Sequence, residues 1–256
     1  MSRITRLLLG LLAVGVTLVV SLLPAAAGVS RAPAPHAHAR AGRGHPAAAP
    51  VHPVVGIGDG KPDLFTDPRF LALAIKDVRY DMSWDALVNP SQRTRVTVWL
   101  KAAKAAGMHV LLTFDHSQRV IYRHVRGKKK PQPFGQSRVM PTPAQYRKAF
   151  LAIRARFPWV TEFATWDETN CYCEVSFNKV PQVVAYYKAM RAACSKCTIL
   201  AAEFLDVPHH FGVPMTTWAQ QFIKLAGTQP PYWGLNNYED ANHRVSTQTR
   251  ALLSAV

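Results

Sequence analysis

The segment ATWDETN, residues 164–170, runs an apolar stretch straight into two adjacent acids, Asp167 and Glu168. Two carboxyl groups held close together are suited to general acid/base work, one kept protonated as the acid and one kept ionised. Adjacency helps that division, because Asp167 raises the pKa of Glu168 by like-charge repulsion. A helix-entry cap or a surface ion pair is the plainer use of the same pair; the strand-end position and the neighbouring Trp166 favour a site. Similar polar groups recur along the chain as Asp81 with Trp84, Asp115 with His116, Glu203 with Asp206, and the run 236–240, NNYED.

The elements that must carry these residues follow a regular beat after Pro53. Strand-like segments are expected at 54–58 (VVGIG), 75–80 (IKDVRY), 108–114 (MHVLLTF), 161–166 (TEFATW), 198–204 and 233–238 (WGLNNY). Helical segments follow them: one opening near Asp67, then 91–106 stopped by Gly107, 143–157, 181–193 with Pro181 at the first helical position, and 215–226 stopped by Gly227. Ser246 is placed to cap a last helix. Such alternation implies an α/β protein with a parallel sheet covered by helices. A doubly wound sheet and a barrel share this beat, but polar residues at every C-terminal strand end favour the barrel, where those ends converge on one mouth. The first loop, GIGDGK, lacks the spacing of a dinucleotide-binding turn.

On the residues of ATWDETN the chain resembles the large clan of retaining TIM-barrel glycoside hydrolases, which carry an Asn-Glu-Pro type motif after the fourth strand. Asp167 stands where that motif has Asn, and Thr169 where it often has Pro. The resemblance implies a (β/α)8 barrel of which about six βα units are present, with Glu168 as catalytic acid/base. It implies sugar-binding roles for Asp167, for Arg79 near the end of the second strand, and for Asn237 with Tyr238 after the sixth. Trp84, Trp166 and Trp233 lie near strand ends, where flat aromatic faces suit stacking on sugar rings and core packing is the equal alternative for each, and His116 joins them as a substrate contact. Retaining enzymes keep acid/base and nucleophile about 5 Å apart. In the clan the nucleophile is a glutamate of the seventh strand, so it is expected outside this chain, which reads as truncated; Glu203, Glu239 and Asp240 are substitutes that the family pattern does not support.

Residues 1–27 combine Arg3 and Arg6 with an apolar run and an Ala-rich end, the layout of a secretory signal peptide, and 28–53 is an Ala/Pro/His-rich linker with too few apolar side chains to fold. The barrel domain is therefore expected over 54–256, secreted or held at the cell wall. The formal charge of +16 draws the chain to anionic polymers. No nucleic-acid-binding motif occurs, so the expected partner is a polysaccharide or oligosaccharide, acidic ones included, with no cofactor and no metal. The basic run 123–130, RHVRGKKK, reads as a solvated loop. In a barrel Cys171 and Cys173 lie at the mouth and Cys194 and Cys197 at the opposite rim, so two local disulfides, Cys171–Cys173 and Cys194–Cys197, are expected instead of a shared metal. A carbohydrate or cell-wall binding protein without catalysis is the other reading of the same mouth, and a basic coat on an anionic polymer a third.

Overall fold

A computed structural model describes residues 54–118, 122–131, 139–206 and 211–256. The signal and linker assignments at 1–53 lie outside these residues. Strands β1 (Gly56–Gly58), β2 (Asp77–Ser83), β3 (His109–Asp115), β6 (Glu162–Ala164) and β7 (Thr198–Leu200) form one parallel sheet in that order. Strands β8 (Glu203–Leu205) and β9 (Gly234–Asn236) form a second parallel pair. Only Ala201 and Ala202 separate β7 from β8, and the Ala201 N–H donates to Tyr232 O while the Gly234 N–H donates to Ala202 O. The two sheets are thus one curved surface in which β7 and β8 act as a single interrupted strand.

Strand order settles the barrel question. A doubly wound sheet reverses direction at a switch point, whereas here spatial order follows chain order from β1 to β9, with only the excursion of β4 and β5 left outside the sheet. Helices α1 (Pro68–Ala72), α2 (Pro90–Ala105), α3 (Pro143–Arg156), α4 (Val180–Ala193) and α5 (Met215–Ala226) follow the strands, as do α6 (Tyr238–His243) and α7 (Thr247–Ala255) after β9. The chain therefore has the architecture of six consecutive βα units of a TIM-type barrel.

The helices form where apolar residues recur at helical spacing. In α2 the buried residues are Val96, Trp99, Leu100 and Ala103, a stripe three and four residues apart. In α3, Thr142 and Gln145 make a reciprocal capping box ahead of Pro143. Two apolar layers result. The large one lies between sheet and helices and includes Leu112, Phe114, Trp99, Tyr146, Phe150 and Trp218. The small one, Leu111, Ala164 and Leu200 with Tyr232 against them, comes from the opposite face of the strands and plugs the barrel interior beneath the mouth.

Several expected boundaries move. Strand β2 runs three residues further, to Ser83, because alternation continues through Asp81. Helix α4 begins at Val180, which puts Pro181 at the second helical position. Ser246 makes no side-chain cap to α7; the Asp240 carboxylate does so, accepting from the N–H groups of Gln248 at 3.0 Å and Thr249 at 2.7 Å. The basic run folds into a hairpin, β4 (Tyr122–Val125) with β5 (Lys128–Pro131), where a loop is expected.

Candidate active site

Alternation along β2 sends Val78, Tyr80 and Met82 to the helices and leaves Arg79 and Asp81 on the barrel face. Arg79 is the centre of the site. Its guanidinium forks onto Asp81 with both contacts at 2.8 Å. It also reaches Glu203 at 3.1 and 2.8 Å, Asp167 at 2.6 Å and Thr113 Oγ1 at 3.2 Å. One cation from the second strand thus collects carboxylates from three strands. Burial opposes its charge, but Glu203, Asp81 and Asp167 outweigh that and hold its pKa well above the ordinary range.

Glu203 has no exposed side-chain surface, and its pKa is raised by burial against the opposing pull of Arg79. Space for it exists because residue 234 is glycine: a Cβ there would stand 2.4 Å from Glu203 Cγ. Gly234→Ala must push Glu203 off Arg79. We expect a loss of about 2–3 kcal/mol, read in denaturant unfolding, from overpacking plus a weakened buried ion pair.

Glu168 follows Asp167 at the mouth with φ 39°, a left-handed backbone uncommon for a residue with a side chain. Such strain is tolerated where the surroundings fix it. Here the Thr169 N–H and hydroxyl both bond Glu203 O, at 2.8 and 3.0 Å, which anchors the turn immediately behind Glu168. Asn236 Nδ2 donates to Glu168 Oε1 at 3.2 Å and lies 3.4 Å from Asp167 Oδ1. Burial first, and the Asp167 charge second, push the Glu168 carboxyl up to about 8, although the Asn236 bond lowers it. A protonated acid therefore stands beside a clamped carboxylate.

A second cluster adjoins the first. His116 Nδ1 lies 2.7 Å from Asp115 and 3.0 Å from Glu174, and Trp166 Nε1 donates to Glu174 at 3.3 Å. Burial disfavours the imidazolium, but the two carboxylates raise His116 to about 10; Asp115 is pushed up to about 6 by its burial, which the His116 contact opposes. Both expected disulfides are present, with sulfurs 2.12 Å apart at Cys171–Cys173 and 2.02 Å apart at Cys194–Cys197. The first lies within the loop joining Glu168 to Glu174, and Cys173 Sγ approaches Glu168 Oε2 at 3.8 Å. Among the described residues, three groups could offer ligands to a metal ion: Asp81, Asp167 and Glu203; Asp115, His116 and Glu174; and Glu168 with the two bonded cysteines. In the first, Arg79 already supplies the positive charge.

Of the residues expected to form the site, Arg79, Asp167, Glu168 and His116 come together, and Tyr238 stays exposed at the rim, within electrostatic reach of Glu168 and Asp167. Trp84 is half-buried against the large core, its indole N–H without a partner among the described residues. Trp166 is corrected: it is fully buried, packed beside Tyr146 and Tyr186, so it offers no stacking face. Its reason is a bend at Thr165, whose N–H and hydroxyl both donate to Leu200 O, so that Ala164 faces the interior and Trp166 the helices. Trp233 is buried as well, against Phe204 and Phe222. Asn237 is corrected by one residue: it sits at the N-cap of α6 while Asn236 makes the bonds. Strand alternation carries that signal, since Gly234 and Asn236 share the face opposite Leu235. Asp206 and Asp240 are helix caps, not site acids. Asp81, named above only as a strand-end acid, enters the cluster on Arg79, and Thr113 and Glu174 are additions that the motif reading passes over.

The fold and site together define an α/β barrel-type protein with a carboxylate cluster built on one arginine at the C-terminal strand ends. No protein-family model matches the chain, and no curated protein matches it. Among solved structures it is similar to a family 39 glycoside hydrolase from the gut symbiont Bacteroides cellulosilyticus WH2, at 16% identity and a TM-score of 0.37 over 57% of this chain and 30% of that one. It is also similar to an endogalactoceramidase, at 17% identity and a TM-score of 0.34 over 64% of this chain and 46% of that one. A third structure, described as a glycoside hydrolase, shares 12% identity and a TM-score of 0.38 over 76% of this chain and 68% of its own. The chain thus spans less than half the length of the first two. The fold assignment rests on this chain's own strand order and register.

Proposed function

We propose that this chain is the catalytic-acid-bearing part of a secreted glycoside hydrolase, in which Glu168 protonates the departing glycosidic oxygen and, in a retaining cycle, later takes a proton from water. The observation that carries this reading is the division of roles at the mouth: burial and the neighbouring Asp167 push the Glu168 carboxyl up to about 8, while Asp167 itself is bound to Arg79 at 2.6 Å. A glycosidase needs that division, because the leaving oxygen requires an acid and the developing positive charge at the anomeric carbon requires anions nearby. Asn236 and Tyr238 are assigned to sugar hydroxyls, and His116, held by Asp115 and Glu174 with its Nε2 buried, braces the mouth behind them. Glu203, fully buried and doubly bonded to Arg79, orients the guanidinium; the nucleophile's role belongs, by the resemblance, to a glutamate of a seventh strand. Export through a signal peptide at residues 1–27 and a substrate that is a polysaccharide or oligosaccharide complete the proposal.

The test is release of reducing ends from a panel of polysaccharides by the protein as its host secretes it, beside the same protein carrying Glu168→Gln. Turnover that the substitution removes supports the reading. Turnover that survives it undiminished overturns Glu168 as the acid, and saturable sugar binding with no turnover assigns the mouth to binding alone.

A further inference from the structure

Charge is distributed very unevenly along this chain. Residues 116–161 hold eleven Lys or Arg and no Asp or Glu, so eleven of the sixteen net positive charges fall in this one stretch. Five of the eleven belong to the β4–β5 hairpin, which reverses at Arg126 and Gly127, whose φ values of 50° and 73° give a two-residue turn. Because the hairpin belongs to the connection from the end of β3 to α3, it is a βα loop and stands at the same end of the barrel as Asp115, Asp167 and Glu168.

The hairpin's register is unfavourable for a ribbon standing alone. Arg123 pairs with Lys130 and His124 with Lys129, so basic residues occupy facing positions on both faces. Like charges directly opposite each other destabilise a strand pair, and two-stranded ribbons are marginal in water to begin with. No third strand joins β4 and β5 among the described residues, and no acid within residues 116–161 neutralises them. Arg126 and Lys128, at the tip, are exposed. Within residues 116–161 the positive charge of the hairpin is not balanced by any acid of the same stretch, which suits it to an anionic ligand.

We infer that the β4–β5 hairpin is the binding element for an anionic polysaccharide, one bearing carboxylate or sulfate groups, which it holds at the rim of the mouth. The inference rests on the proposed reading of the mouth as a sugar site, which makes the anion a glycan. It also constrains the polymer. Arg79 is already engaged by Asp81, Asp167 and Glu203, so the centre has no guanidinium to offer a charged sugar, and the anionic groups sit on residues away from the bond that is cleaved.

The experiment measures binding of the intact protein to a polyuronate, a sulfated polysaccharide, a neutral polysaccharide and single-stranded DNA of matched length, at two salt concentrations. The variant Lys128→Gln/Lys129→Gln/Lys130→Gln is compared with Arg93→Gln/Lys101→Gln/Lys104→Gln, which removes the same charge from exposed positions of α2. We expect the hairpin variant to bind the polyuronate or the sulfated polymer about tenfold more weakly, with a shallower salt dependence by roughly 1 per cation lost, and the α2 variant to bind as the unaltered protein does. Lys128→Glu/Lys129→Glu/Lys130→Glu separates charge from folding: it places acids opposite Arg123 and His124, so it should raise hairpin stability while abolishing binding. Equal losses in the hairpin and α2 variants, equal affinity for the neutral polymer, or preference for DNA would each overturn the inference. Binding requires no turnover, so its outcome is scored separately from hydrolysis by Glu168.

Discussion

Glu168→Gln is expected to lower glycoside turnover about a thousandfold and, at the same time, to make the folded protein more stable at pH 8. The first effect follows from removing the proton donor, a contribution of roughly 10²–10⁴ in rate for a positioned acid. The second follows from where its proton sits. Glu168 ionises at about 8 when folded against an ordinary 4.5. Below 4.5 the carboxyl is protonated in both states and costs nothing. Between 4.5 and about 8 the unfolded chain releases the proton while the folded chain retains it, so stability falls as pH rises through that window. A glutamine is neutral throughout and escapes the loss. Thermal unfolding of the two proteins should coincide near pH 4 and diverge by on the order of 4 kcal/mol at pH 8, the variant being the more stable. In the unaltered protein, the proposed turnover should fall as pH passes about 8 and Glu168 deprotonates. Coincident melting curves at both pH values would show that Glu168 is not buried against its charge.

Arg79→Met is expected to be the most damaging single substitution in the barrel face, at about 3–5 kcal/mol or outright failure to fold. Arg79 and Glu203 have 11% and 0% exposed side-chain surface, so removing the cation leaves a buried carboxylate without its partner. The same loss brings Asp81 and Asp167 into unrelieved repulsion. Partial rescue distinguishes this cause from lost packing. In the double variant Arg79→Met/Glu203→Gln the stranded charge is gone, and denaturant unfolding should recover at least 1 kcal/mol of the single variant's deficit, a coupling that distant substitutions do not show. Arg79→Lys should restore charge without the two forks onto Asp81 and Glu203, and fall between the two. Additive losses in the double variant would mean that Arg79 and Glu203 act independently.

Part of this site is legible in residue order. The strand carrying Arg79 alternates DVRYDMS, which puts Arg79 and Asp81 on one face once the strand is recognised. The two cysteine pairs are close in sequence, and local bridges were the economical pairing. Residue order does not show that Arg79 and Glu203, 124 positions apart, share two hydrogen bonds. Nor does it show the Thr165 bend that turns Trp166 into the core, because the bend is fixed by hydrogen bonds to Leu200 on another strand.

By itself the sequence determined the kind and order of the sheet strands and of the helices through α5, the strand-end position of Glu168, and the local disulfides; it did not show the β4–β5 hairpin or the division of the last helix into α6 and α7. These follow from periodicity, helix stops and short-range spacing, which act within a few residues of the chain. Tertiary structure alone decided that the strands follow one another around a barrel, that Asn236 and not Asn237 meets Glu168, and that Glu203 is a buried partner of Arg79. These depend on inter-strand register and on the shape of the space left by residues such as Gly234, quantities set by packing between segments that are remote in the chain.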